Sequence, residues 1–179
     1  MIRAALISLA LLLPFPAQAQ QAPDRVDELF AQLAQAEEDS WEVIEAELDR
    51  LLGQSGSPAM DLLLDRGRLA MQDERPGDAV EHLTALTDHA PGFAEGWYAR
   101  ATALYLTGRV GPALADLQRA LVLEPRHYRA ITGLAVILEE TDQPRRALEV
   151  YRRALAIHPH APDIKEAVAR LEAVLTKEI

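Results

Sequence analysis

"ALADLQRALVLEPRH", residues 113–127, sets two alanines, Ala113 and Ala120, seven positions apart on a helical face otherwise filled by leucine. Pro125 then closes the stretch, because proline cannot supply the backbone donor the next turn needs. The same design occurs twice more. "AVEHLTALTDHAPGF" begins at Ala79 and "ALEVYRRALAIHPHA" at Ala147, equally far before and after the central copy. Four positions into each copy stands Leu83, Leu117 or Tyr151, and seven positions in stands Leu86, Ala120 or Ala154. Twelve positions in comes Pro91, Pro125 or Pro159. A constant interval of this kind, roughly 34 residues, is the signature of stacked repeats, each of which is too small to bury its own apolar face.

The segments ahead of these copies repeat as well. "MDLLLDRGRLAMQDERPGD", "AEGWYARATALYLTGRVGP" and "YRAITGLAVILEETDQPRR" start at Met60, Ala94 and Tyr128, aligning Leu63 with Trp97 and Ile131, and Gly67 with Ala101 and Ala135. Their apolar residues recur three and four apart, the spacing of an amphipathic helix. Turn formers interrupt at Asp73–Gly77, Thr107–Pro112 and Thr141–Pro144, and Pro76, Pro112 and Pro144 suit the first turn of a following helix. Each unit therefore reads as helix, tight turn, helix and proline. Gly67, Ala101 and Ala135 are expected to face Ala79, Ala113 and Ala147, with the bulky Trp97, Leu117 and Tyr151 filling the space between hairpins.

This pattern resembles the tetratricopeptide repeat. Trp97, Ala101, Gly108, Ala113, Leu117, Ala120 and Pro125 carry the match in the middle copy. Leu63, Gly67, Ala79, Leu83 and Pro91 carry it in the first, and Ile131, Leu134, Ala135, Ala147, Tyr151, Ala154 and Pro159 in the third. The resemblance implies an all-α fold, a right-handed superhelical solenoid of antiparallel helix hairpins, with repeats over 60–93, 94–127 and 128–161. Arg66 and Arg100 depart from it, standing where the family usually has leucine. They are expected to reach solvent with their heads or to pair with an acid such as Asp116 or Glu124.

The flanks have other characters. Residues 1–19 read as a cleaved signal peptide: Arg3, an apolar run from Ala4 to Leu13, Pro14 and Pro16, then the small-x-small Ala17-Gln18-Ala19. The run is short of the roughly 20 residues a spanning helix needs. A mature chain would begin at Gln20 in the periplasm of a Gram-negative bacterium or in the medium. Residues 20–58 read as a capping helical hairpin, with helices near Asp24–Glu37 and Ser40–Leu52, and a flexible joint from Gly53 to Pro58. Ser40 is the expected N-cap, with Val43 and Ile44 opening an apolar stripe. Residues 162–179 form a terminal capping helix with Ile164, Val168, Leu171 and Leu175 inward.

Composition narrows the function. Among 179 residues 49% are hydrophobic, 5% are aromatic and none is cysteine, which excludes disulfides, thiol chemistry and lipid attachment at cysteine. A formal charge of −10 argues against a nucleic-acid partner, which requires a basic face. No catalytic pattern is present, so the chain reads as non-enzymatic and without a cofactor. His158 and His160 have no third metal ligand at useful spacing, and His82, His89 and His127 read as surface or helix-end residues. Acidic residues crowd the N-terminal hairpin, Glu37, Glu38, Asp39, Glu42, Glu45, Glu47 and Asp49, against a basic edge of Arg145, Arg146, Arg152 and Arg153. Such ends favour weak, salt-screened head-to-tail self-association.

By the resemblance, first helices line a concave groove, here through Leu64, Asp65, Arg68, Met71, Glu95, Tyr98, Thr102, Tyr105, Arg129, Thr132 and Val136. Asp61, Gln72 and Glu139 also fall at such positions. Family members that grip a terminal carboxylate do so with lysine and asparagine, neither of which stands here, so no such clamp is expected. The expected function is a protein-protein interaction scaffold holding a peptide or helix of an envelope protein; the alternative is a self-assembling structural protein. Replacing Ala113 by leucine should cost about 1–3 kcal/mol through overpacking, read as a lowered urea midpoint with unchanged slope.

Overall fold

The computed structural model describes residues 21–38 and 40–177, so the expected signal peptide and Asp39 lie outside the described residues. Within them the chain forms nine α-helices and no strand: α1 (Gln21–Ala34), α2 (Trp41–Leu52), α3 (Pro58–Gln72), α4 (Pro76–His89), α5 (Ala94–Leu106), α6 (Val110–Leu123), α7 (Tyr128–Glu140), α8 (Pro144–Ile157) and α9 (Pro162–Thr176). The hairpins α3–α4, α5–α6 and α7–α8 stack in order, with α9 packed on α8. The result is an all-α solenoid.

Backbone geometry keeps the period of the sequence. At each first-to-second helix turn a residue takes a left-handed conformation: Glu74 (φ 58°), Gly108 (φ 75°) and Asp142 (φ 57°). The following amides, of Arg75, Arg109 and Gln143, donate to the carbonyls of Ala70, Leu104 and Leu138 at 2.8, 2.9 and 2.9 Å. These closures satisfy carbonyls that the helix end leaves free. Pro76 and Pro144 open their helices and Pro112 lies in the first turn of α6, where a missing N–H costs nothing.

Packing corrects one detail of the expected contacts. Ala79, Ala113 and Ala147 are fully buried, as are Ala101 and Ala135 within 1%. Gly67, however, faces Leu83: a Cβ placed on it would stand 2.5 Å from the Leu83 Cγ. The small residue makes room for a large one four positions beyond Ala79. In this hairpin a small residue and a large one interlock.

The N-terminal hairpin departs further from expectation. It does not continue the stack ahead of α3. Leu29, Phe30, Leu33 and Leu48 share one core with Tyr128, Ile131, Tyr151, Ala154 and Ile164, and α1 packs on α8. Its buried side chains are all large, so it lacks the small residues a repeat needs to approach α3 and α4 closely. Gly53–Ser57 instead lets it fold back onto the third repeat. Leu62 and Leu69 of α3 are consequently about half exposed, at 49% and 54%. Val43 is exposed and stands outside the apolar stripe, which Trp41, Ile44, Leu48 and Leu51 form. Ser40 precedes α2, but its hydroxyl donates to the Glu37 carbonyl and does not cap the helix. At the other end Ile164, Val168, Leu171 and Leu175 point inward on α9 as expected.

Glu74 carries a Cβ in a conformation glycine adopts freely. Glu74→Gly should therefore raise stability by about 1 kcal/mol. Thermal unfolding of both proteins measures it, and a lower Tm for the glycine variant would count against this reading of the turn.

Candidate binding groove

The first helices α3, α5 and α7 neighbour one another, and their shared side forms the concave face. Tyr98, Ala101, Thr102 and Tyr105 project from one side of α5, three and four apart, as helical geometry requires. Tyr128, Arg129, Thr132, Gly133 and Val136 do the same from α7. Together with Trp41 and Glu45 of α2, Leu117 of α6, His158 and the start of α9, they enclose a cavity of about 520 Å³. The walls are chiefly aromatic and aliphatic. Thr102 and Thr132 donate their hydroxyls back to the carbonyls of Tyr98 (3.1 Å) and Tyr128 (2.9 Å), and the Tyr105 hydroxyl donates to Glu140.

Of the residues expected in the groove, Tyr98, Thr102, Tyr105, Arg129, Thr132 and Val136 line this cavity. Leu64 is wholly buried in the core of the first repeat, against the expectation that it faced the groove, because its side of α3 meets α4 and α5. Met71 is half-buried against the same core, and Asp65 is exposed outside the cavity lining. Glu95, also expected to be free, is buried: Arg68 donates to it at 2.5 Å and the His127 ring nitrogen Nε2 lies 3.0 Å away. Burial alone would push this carboxyl up; His127 and Arg68 outweigh that and hold it below the ordinary glutamate range. The three side chains tie the starts of α5 and α7 to the middle of α3.

His127 is no surface residue. It is 2% exposed, its Nδ1 accepts from the Ala130 amide at 3.3 Å, and its ring packs on Tyr98 with centroids 4.7 Å apart. With Nδ1 accepting, Nε2 is left to donate to Glu95. The sequence held the clue: His127 occupies the repeat position taken by Phe93 one unit earlier and by Ala161 one unit later, an apolar position.

Sequence reasoning also missed the groove's closing wall. The Tyr128 hydroxyl donates to Glu45 Oε1 at 2.7 Å, and Arg129 pairs with Asp49 and, at 3.4 Å, with Glu45. Trp41 lies 5.3 Å from the His158 ring and stacks on His160 at 6.4 Å between centroids, while His160 donates to the Ala36 carbonyl at 2.7 Å. Arg126 reaches Asp27 at 2.6 Å and sits 4.4 Å over the Phe30 ring. Burial carries Asp49 above the ordinary aspartate range despite Arg129. The acidic hairpin thus commits two of its carboxylates to the groove's own arginine.

Elsewhere the two unusual arginines resolve differently. Arg100 forms a two-pronged pair with Asp116 at 2.6 and 2.8 Å, donates to Thr87 at 2.7 Å and lies 4.8 Å over the Trp97 ring, linking α4, α5 and α6. Arg66 is exposed on α3. Among the described residues no group of three or more histidine, aspartate or glutamate side chains is placed to hold a metal, and no helix is long and apolar enough to cross a membrane.

Tetratricopeptide-repeat profiles match residues 64–123 and 112–171, and the chain belongs to that family. It is 29% identical over 187 residues to a TPR repeat-containing protein of Rhizobium etli, covering 95% of this chain and 92% of that one. Its fold is similar to the first TPR of Spaghetti (RPAP3) bound to the HSP90 peptide SRMEEVD (TM-score 0.63, 18% identity, 67% of this chain and 98% of that one). It is also similar to the Yersinia enterocolitica type III secretion chaperone SycD in complex with a peptide of the translocator YopD (TM-score 0.60, 17% identity, 69% and 97%).

Burial holds the His158 ring below its ordinary value of 6.5, with Glu45 at 3.5 Å only partly opposing. The unfolded chain then takes up the proton first, so this site removes stability as pH falls below about 6.5. His158→Phe should therefore gain on the wild type in urea midpoint between pH 7 and pH 5. A difference independent of pH would show that the ring does not titrate this way.

Proposed function

We propose that the protein is a non-enzymatic interaction scaffold that holds a peptide or helix of an envelope protein in the concave cavity. The observation that carries this is the cavity itself: about 520 Å³, open between two repeats and walled by Trp41, Tyr98, Tyr105 and Tyr128. Tyrosine and tryptophan give large, stiff contact area with a polar tip, which suits an anchor pocket for a partner's apolar side chain. The peptide complexes of the similarly folded RPAP3 domain and SycD support peptide binding by this architecture.

The groove's charges narrow the ligand. Arg68 is neutralised by Glu95, and Arg129 by Asp49 and Glu45. Both arginines expected in the groove are therefore engaged within the chain, and a ligand is held by its side chains and not by its terminal carboxylate. Arg3, the apolar run and Ala17-Gln18-Ala19 support the reading that this scaffold is exported to the periplasm or the medium.

Two measurements test these readings. A photo-crosslinking residue at Val136 should trap a partner in native envelopes, and Tyr98→Ala with Tyr105→Ala should abolish that adduct while leaving helical circular dichroism unchanged. An adduct that survives both substitutions would exclude the groove. The exported chain should have a mass beginning at Gln20; an intact N-terminus in the cell membrane would overturn export by cleavage.

A further inference from the structure

The groove already holds a helix. Trp41, Glu45 and Asp49 stand at four-residue intervals on α2, one side of it, and meet His158, Tyr128 and Arg129 in turn. This is how an amphipathic helix lies in a groove, with anchors at successive turns. The helix comes from the chain's own start, far from the groove residues in sequence: Tyr128 is 83 positions from Glu45 and Arg129 is 80 from Asp49. A short tether, Gly53–Ser57, joins it to the solenoid, the Ser55 amide and hydroxyl both donating to Asp61.

Three features mark the polar, groove-facing side of this contact as replaceable, while Leu48 on the other side of α2 is buried in the shared core. Its ion pairs are partly exposed: the side chains of Arg129 and Asp49 keep 36% and 30% of their surface, and Arg126 and Asp27 keep 39% and 65%. Such pairs contribute little each and exchange readily. The fit is incomplete, since the cavity persists beside Trp41 and Glu45. And the His158 ring, wholly buried on the cavity wall, has only Glu45 Oε1 at 3.5 Å from its Nε2, too long for a good hydrogen bond, and no partner on Nδ1. A structural interface closes such gaps; a stand-in leaves them for a better ligand.

We propose that the α1–α2 hairpin is an internal ligand that shields the groove, and that the partner displacing it is an acidic amphipathic helix. This rests on the groove-binding reading above and names its partner. The displacing helix repeats the α2 pattern, an aromatic residue, then glutamate and aspartate at four-residue spacing. It adds a side chain that fills the cavity and bonds His158. Its acids take over Tyr128 and Arg129. Tethering gives the hairpin a local concentration on the order of millimolar, so the shield sets a threshold that only a helix fitting better than α2 crosses.

The test uses a fluorescent synthetic peptide, Ser40–Gly53, titrated against the full mature chain and its Trp41→Ala, Glu45→Ala double variant. The released groove should bind at least tenfold more tightly than the wild type, and adding Arg129→Glu to the double variant should remove binding. Equal affinities, no binding to either protein, or binding indifferent to Arg129→Glu would each overturn the proposal. So would a double variant that only exchanges hairpins between copies, seen as a dimer that takes up no peptide. If the double variant loses helicity, amide exchange on the wild type decides: excess peptide must speed exchange in Trp41–Leu52 while α3–α6 stay protected, and unchanged exchange there overturns it. The crosslink at Val136 separates the two levels. Equal capture by wild type and released variant retains the groove but ends the internal ligand, whereas no capture by either ends the groove reading itself.

Discussion

Close contact between the two helices of each hairpin is the constraint from which the rest follows. Gly67 against Leu83 shows how tight it is, for even one added methyl group would overlap a buried side chain. Because a close hairpin recurs once in every repeat, the hairpins stack in order and the first helices neighbour one another. Their shared side becomes a groove without any residue being devoted to making one. What the groove contains is then free to vary, and here it contains tyrosines, threonines and neutralised charge.

The charges are arranged at helix starts. Glu95 sits in the first turn of α5, where the unpaired amides and helix dipole favour a carboxylate. Arg68 and His127 approach it from α3 and from the residue that caps α7, so three successive first helices meet at one buried acid. A buried pair of this kind adds little net stability, since desolvation offsets the attraction, but it penalises any slip that would part its members. Arg129 occupies the position corresponding to Glu95 in the next repeat, with the opposite charge. It accordingly finds its acids outside the repeats, on α2.

Whatever depends on the period was legible in the sequence. The hairpins, their turns, the prolines and the inward face of α9 all follow from residues that recur at fixed spacing. Arg100 was legible in part, because an arginine at a leucine position either reaches solvent, as Arg66 does, or pairs with an acid, as Arg100 does with Asp116. Leu64 was misread because its repeat equivalents, Tyr98 and Thr132, do line the cavity, whereas in the first repeat the same position is buried against α4 and α5. His127 was misread for want of comparing it with Phe93. The fold-back of α1–α2 left no periodic trace at all. It depends on contacts such as Arg126 with Asp27 and His160 with Ala36, across 99 and 124 residues, and local pattern carries no information about those.

That fold-back divides the stability of the molecule unevenly. In a simple repeat stack each unit is held only by its neighbours, so both ends are equally weak. Here the last repeat and α9 share a core with α1 and α2, joining the two ends of the chain in one cluster. The first repeat has a smaller core of its own, and its α3 still shows Leu62 and Leu69 to solvent. The weak end is thus the one nearest the tether. Opening there lengthens the leash on the hairpin and parts Arg68 from Glu95, while Tyr128 and Val136 stay on the cluster that joins the two ends of the chain, so that wall of the groove outlasts the segment that anchors its cover.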